Sequence, residues 1–182
     1  MQPQGIALAL NIGSGQRRFH STSDVEWVNI DCVSRPPEQV PDLVCDVGTE
    51  SLPIPNDHAD YCVLHHVYEH FGLGEGHPVI RECHRVLKPG GILILTVPDM
   101  RALAMAWLRG RIEDYTYFVN VYGAYQGLET DRHKWGYDYQ ALFKDMKSLE
   151  LPWREIHNTQ QRQIPGASIA RDFWILEMEL IK

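Results

Sequence analysis

The sequence predicts an α/β fold: one mixed sheet of about seven strands, mostly parallel with the last strand antiparallel, and helices on both faces. Two observations carry this reading. Five short apolar runs, bounded by Gly, Pro or Asp, follow one another up to Val97, with a helical pattern before the fifth and others after it. From position 153 onward two strand-like runs lie about a dozen residues apart with no helical pattern between them, which reads as a closing hairpin.

The first run is Ile6–Ile12, ending in Gly13-Ser14-Gly15. The second is Trp27–Cys32, passing through Asp31, and the third is Asp42–Val47 (DLVCDV). Asp60–Leu64 is the fourth, and Gly91–Val97 (GILILTV) is the fifth and most hydrophobic. Between the last two, Val79, Ile80, Cys83, Val86 and Leu87 make one helical face over Pro78–Lys88. Pro78 suits its first turn, and Pro89-Gly90 its end. Asp99 can cap a helix carrying Met100, Leu103, Trp107 and Leu108, closed by Gly110. Asp138 can cap another with Tyr139, Leu142, Phe143 and Met146 at helical spacing. The tail strands are near Trp153–Gln160 and Asp172–Ile181. Gln16–Ser23 has no apolar helical face, so the helix expected after the first strand is short or missing.

With 182 residues the chain fits a single domain, 1–182, with 101–137 as a helical lid or insertion after the fifth strand. Lys and Arg number 17 against 24 Asp and Glu, a net charge of −7 that argues against a nucleic-acid or anionic-membrane partner. No apolar run approaches the roughly 18 residues that span a bilayer, and Met1–Gly5 lacks the basic start of a signal peptide. This reads as a cytoplasmic protein. Cys32, Cys45, Cys62 and Cys83 are too widely spaced for a thiolate metal site and read as reduced, mostly buried thiols.

The glycine loop is the first functional signal. Gly13 and Gly15 allow the backbone to turn tightly and approach a ligand at the carboxyl edge of a parallel sheet. Arg18 stands where the dinucleotide fingerprint needs its third glycine, which disfavours a hydride-transfer site, and no G-K-[ST] follows. Asp31, 18 residues after Gly13, is placed to accept both hydroxyls of a ribose. Asp46, near the third strand's end, is placed to accept an exocyclic amine. Each acid alone also reads as a strand-end cap. Glycine loop and two acids on three successive strand ends are harder to assign to chance.

At this point the chain resembles the class I S-adenosylmethionine-dependent methyltransferases, whose sheet is Rossmann-like. LNIGSG looks like their first motif, with Asn11 where an acidic residue often stands, and NID supplies the second-strand acid. SLPIPNDHADYCVLHHVYEH and VIRECHRVLKPGGILILTVPD are similar to their fourth strand and to their helix, KPGG turn and fifth strand. HKWGYDYQALFKDM resembles a segment of a compact subgroup. The resemblance implies S-adenosylmethionine as cofactor, with Asn11, Gly13 and Gly15 around its amino-acid part and Asp31 on the ribose. It implies Asp46 and the Val47 backbone at the adenine, and His65 near the methionine end. The implied activity is methyl transfer to a small-molecule or glycan-like acceptor at O or N. The alternative is a non-catalytic cofactor-binding or scaffold protein of the same fold, motivated by Asn11 and the missing helix. Leu64-His65-His66-Val67, unlike an N-P-P-Y segment, argues against base methylation.

A protic acceptor needs a base. His66, Glu69 and His70 share a helical face, so His66 and His70 are candidates oriented by Glu69, and His133 is a third. Glu69 and His70 as plain helix caps is the bland alternative. With no further residue at ligand spacing, no metal is expected. The segment 101–137 holds eight of the eighteen aromatic residues, and with Arg101, Arg109, Arg111 and Arg132 could bind an acceptor. The alternative is a self-packed lid or a dimer surface, so a homodimer enters the expected partners.

Overall fold

The computed structural model describes residues 5–34, 37, 40–124, 127–158, 162–170 and 172–182. Its sheet has seven strands: β1 (Ala7–Ile12), β2 (Val25–Asp31), β3 (Leu43–Val44), β4 (Ala59–His65), β5 (Leu87–Pro98), β6 (Glu155–Asn158) and β7 (Ile175–Ile181). Their order is β3-β2-β1-β4-β5-β7-β6. β1 to β5 pair in parallel, and β7 runs antiparallel to both β5 and β6, so it alone is reversed. The order reverses between β1 and β4, and ligands bind beyond the carboxyl ends of the strands at such a switch point.

The strands alternate between two faces. Leu10, Ile12, Ile30, Cys62, Leu64, Leu93 and Leu95 form one core cluster. It packs against α1 (His77–Val86), through Val79, Ile80, Cys83 and Val86, and α4 (Tyr139–Ser148), through Leu142 and Met146. Each fully buried Leu or Ile contributes roughly 1.5–3 kcal/mol here. Asp138 caps α4 through Ala141 N (2.9 Å), and Asp99 caps α2 (Met100–Leu108) through Arg101 N and Ala102 N, as their sequence positions predict.

The opposite face is built differently. Its cluster joins Ala9, Val25, Trp27, Val63, Ile92, Ile94 and Ile181 to Phe19 and Ile164. Phe19 and Ile164 come from non-helical chain, 16–23 and 162–170. The expectation of helices on both faces is therefore met by α1 and α4 on one, while irregular segments supply the cover of the other. Phe19 meets Trp27 edge-on at 4.8 Å, and Trp27 Nε1 donates to Pro165 O (2.8 Å).

Two strand boundaries differ from the sequence reading for local reasons. β3 keeps only Leu43–Val44 of the run 42–47. Asp42 instead accepts from Asn29 N and Nδ2 (both 2.8 Å), and Asp46 O accepts Thr49 N and Glu50 N to turn the chain away. β5 begins at Leu87 rather than Gly91, because Leu87 pairs with Ala59 before a register shift. The stretch 88–90 is thus an irregular strand start. α3 (Asp114–Tyr122) completes the insertion after β5. No described helix is long and apolar enough to cross a membrane.

Candidate functional site

The turn after β1 is tied to β2. Gly13 N and Ser14 N both donate to Ile30 O (2.8 and 2.9 Å). Gly13 has φ +70°, and a Cβ there would lie 2.4 Å from Val67 Cγ2. Only glycine fits both constraints. Gly15 N donates to Asp31 Oδ2 (2.8 Å) and Val33 N to Oδ1 (3.0 Å). Each carboxylate oxygen keeps acceptor capacity for a ligand hydroxyl.

A cleft of about 620 Å³ opens here, lined by Gly13, Gly15, Asp31 and Asp46 on one side and by His65, His66, His70 and His133 on the other. That size suits a small-molecule site. It brings together eight of the ten residues singled out from the sequence. Asn11 and Val47 stand apart. The Val47 side chain is buried in the main core, just behind Asp46. Asn11 is buried on the opposite face, where its Nδ2 donates to Arg17 O and to Asn29 Oδ1 (both 2.9 Å). Both its amide hydrogens are spent on holding 16–23 in place, so its side chain is a structural tie rather than a wall of the cleft.

His65, at the end of β4, is occupied on both nitrogens. Arg17 Nη1 donates to its Nε2 (2.6 Å), so Nδ1 carries the proton and donates to Thr96 Oγ1 (2.7 Å). Arg17 was not singled out in the sequence. Its position directly after the glycine turn was the available signal.

The histidines of the cleft other than His65 converge on Glu69. This residue lies in the short 3-10 turn Tyr68–His70 and is 1% exposed. His66, held at φ +56°, donates from Nδ1 to Glu69 Oε1 (2.9 Å). Lys134 N and Trp135 N both donate to Glu69 O, which brings His133 beside His70 across a long stretch of sequence. The two rings meet edge-on at 4.7 Å. His70 Nδ1 donates to Arg132 O (3.1 Å) and His133 Nδ1 to Asn120 O (2.8 Å). Carbonyls only accept, so in the neutral form of each ring the proton sits on Nδ1 and Nε2 carries the lone pair. Burial pushes the Glu69 pKa up, but the His66 hydrogen bond and the charges of His66, His133 and His70 outweigh it and hold the carboxyl below its ordinary range. Burial lowers the His133 pKa, against the pull of Glu69.

The aromatic insertion behaves otherwise than an aromatic binding wall. Trp107 stacks on Tyr117 (4.5 Å, 13°) and donates from Nε1 to Asp114 Oδ1 (2.7 Å), while Phe118 stacks on Tyr122. Among described residues, only its later part reaches the cleft, at Ala124, Thr130, Asp131, His133 and Lys134. Tyr125 lies outside the described residues.

Residues 10–95 match the family model described as a methyltransferase domain. No curated protein sequence matches the chain. Among solved structures, an S-adenosylmethionine-dependent methyltransferase from Archaeoglobus fulgidus superposes with a TM-score of 0.62 at 13% identity, covering 98% of this chain and 87% of that one. A methyltransferase from Methanosarcina mazei gives 0.53 at 16% identity, over 97% and 91%. The 1,6-didemethyltoxoflavin-N1-methyltransferase of Burkholderia thailandensis, solved with S-adenosylhomocysteine, gives 0.56 at 14%, over 97% and 71%. Fold and matched segment together define a methyltransferase domain. In matched segment and in fold the chain is similar to the S-adenosylmethionine-dependent methyltransferases.

Proposed function

We propose that the protein transfers a methyl group from S-adenosylmethionine to a small-molecule or glycan-like acceptor, at oxygen or nitrogen. The observation that carries this is the Asp31 carboxylate, held by the Gly15 and Val33 amides in the wall of the cleft beside the switch point. A ribose diol would be met there by two oriented oxygens. The Gly13–Gly15 turn would receive the amino-acid part, and Asp46 the adenine amine. Arg17 and Thr96 fix the His65 ring at the methionine end.

The cofactor supplies a methyl carbon on a sulfonium, a good leaving group. The acceptor's lone pair forms the new bond to that carbon as the carbon–sulfur bond breaks with its electrons returning to sulfur. The chain contributes position, which can supply much of the rate. The proton lost by the acceptor goes to a histidine of the trio His66, His70 and His133, which faces the same cleft. The whole chain acts as one domain. Its 101–137 insertion serves as a lid whose Thr130–Lys134 end forms the acceptor-side wall.

Calorimetric titration with S-adenosylmethionine, S-adenosylhomocysteine and NAD tests this. Both sulfur nucleosides should bind and NAD should not. Asp31→Ala should weaken binding at least tenfold, and unweakened binding would remove the ribose assignment. Binding without turnover on an acceptor panel would favour the scaffold alternative.

A further inference from the structure

We propose that Glu69, His70 and His133 form a binding site for one divalent transition-metal ion of the zinc class, with an open coordination position facing the cleft. The proposal rests on the functional reading only for its purpose. The ion would hold an acceptor's oxygen beside the cofactor seat and would leave His66 as the base of the trio, but ion binding stands or falls separately.

Three observations carry it. One donor atom from each of the three residues lies within 4.8 Å of the other two, and His133 Nε2 is 4.0 Å from Glu69 Oε1. A tetrahedral ion with bonds of about 2.0–2.2 Å sets its ligand atoms about 3.4 Å apart, so small side-chain rotations close the set. The tautomers are also fixed for ligation. The backbone carbonyls of Arg132 and Asn120 take the Nδ1 protons of His70 and His133, leaving both Nε2 lone pairs available. Such outer hydrogen bonds regularly orient metal-binding imidazoles. Finally, Glu69 Oε2 is buried and has no hydrogen-bond partner among the described residues. An orphaned oxygen on a 1%-exposed carboxylate costs stability that a bound cation offsets.

The donor set selects the ion. Two imidazoles disfavour Mg²⁺ and Ca²⁺, which prefer oxygen shells, and the absence of thiolate from the trio disfavours Cu(I). Two histidines and one carboxylate leave a fourth position for a small ligand. The sequence reading expected no metal because His66, Glu69 and His70 lacked a further ligand at suitable spacing. Folding supplies it from His133, which the amides of Lys134 and Trp135 deliver to the Glu69 carbonyl.

The test uses the untagged full chain, treated with chelator and dialysed. Zn²⁺ is titrated by calorimetry and Co²⁺ by its visible absorption. One equivalent should bind, with a Co²⁺ spectrum of nitrogen and oxygen ligation. His70→Ala and His133→Ala should each weaken binding at least a hundredfold, while His157→Ala, at an exposed pair with Glu155, should leave it unchanged. Both ligand histidines are only partly buried, so these variants keep the test valid if Glu69→Gln fails to fold. No stoichiometric binding, or equal binding in the two histidine variants, would overturn the site. S-adenosylhomocysteine binding, measured on the same samples, separates the readings. Nucleoside binding without metal binding removes only this site, and metal binding without nucleoside binding removes only the methyltransferase assignment.

Discussion

Asn11 Nδ2 and Asn29 Oδ1 lie 2.9 Å apart at matched register on β1 and β2, and both side chains are buried. Asn29 also exchanges two hydrogen bonds with the Phe19 backbone, and Asn11 holds Arg17 O. This pair does for 16–23 what a helix's own hydrogen bonds would otherwise do. Asn11→Asp would place a carboxylate against two acceptors. We expect a loss of about 2–4 kcal/mol, because a buried carboxylate would face Arg17 O and Asn29 Oδ1 and each of these would lose one donor. Urea denaturation checks this, and a variant as stable as the parent would remove the account of Asn11.

Gly13→Ala should damage the cleft from within. Its Cβ would collide with Val67, and its φ of +70° disfavours any side chain. Cofactor binding should fall at least tenfold. The double variant with Val67→Ala should recover part of that loss, since space returns while the dihedral cost of about 1 kcal/mol remains. Calorimetry on the two variants reads this directly.

Asp145 anchors α4 under the 3-10 turn that carries Glu69. It accepts from Tyr68 Oη (2.7 Å) and Tyr137 Oη (3.5 Å) and pairs with His77 Nε2 (2.8 Å). Asp145→Ala should cost about 3 kcal/mol by leaving two buried phenols unpaired. Burial first, then Asp145 (by its hydrogen bond to Tyr68 and by its charge at Tyr137), pushes both phenol pKa values far up. Phenolate absorbance in an alkaline titration should therefore stay two tyrosines short until the protein unfolds.

His84 should make stability sensitive to mild acid. The sequence placed it opposite the apolar face of α1 and hence in solvent. Instead its ring meets Trp153 edge-on at 4.8 Å, and its Nε2 is buried without a hydrogen-bond partner among the described residues. Burial, then repulsion by Lys182, lowers its pKa below 6.5, with Asp57 opposing. The unfolded chain therefore takes up this proton first as pH falls. Stability from this group is complete above about pH 6.5 and declines below it. His84→Leu should flatten the loss between about pH 6.5 and the carboxylate range near 4.5 in thermal melts across pH.

These cases show why some parts of the molecule were readable in the sequence. The strand order along the chain, the caps Asp99 and Asp138, and the Gly13/Asp31 arrangement follow from local spacing, while the bounds of β3 and β5 do not. The ties of Asn11 to Arg17 and Asn29 were not readable, because a motif position does not say which face of the sheet a side chain takes. The aromatic insertion left two readings open, a binding wall or a self-packed lid, because composition cannot show that Trp107 and Tyr117 satisfy one another. The meeting of His133 with Glu69 depends on two backbone amides finding one carbonyl, and no periodicity encodes that.

The irregular cover of the sheet's second face has a consequence for how this molecule can change. Both covering segments also touch His65, a residue of the cleft wall. The first carries Arg17, which grips His65, and the second brings Ala170 N to the same ring at 3.4 Å. On the outer side they are joined through Trp27, Pro165, His20 and Gly166. A substitution at Trp27, remote from any ligand, would thus loosen a wall of the binding site. The back of the sheet is coupled through Trp27 to the His65 wall of the cleft.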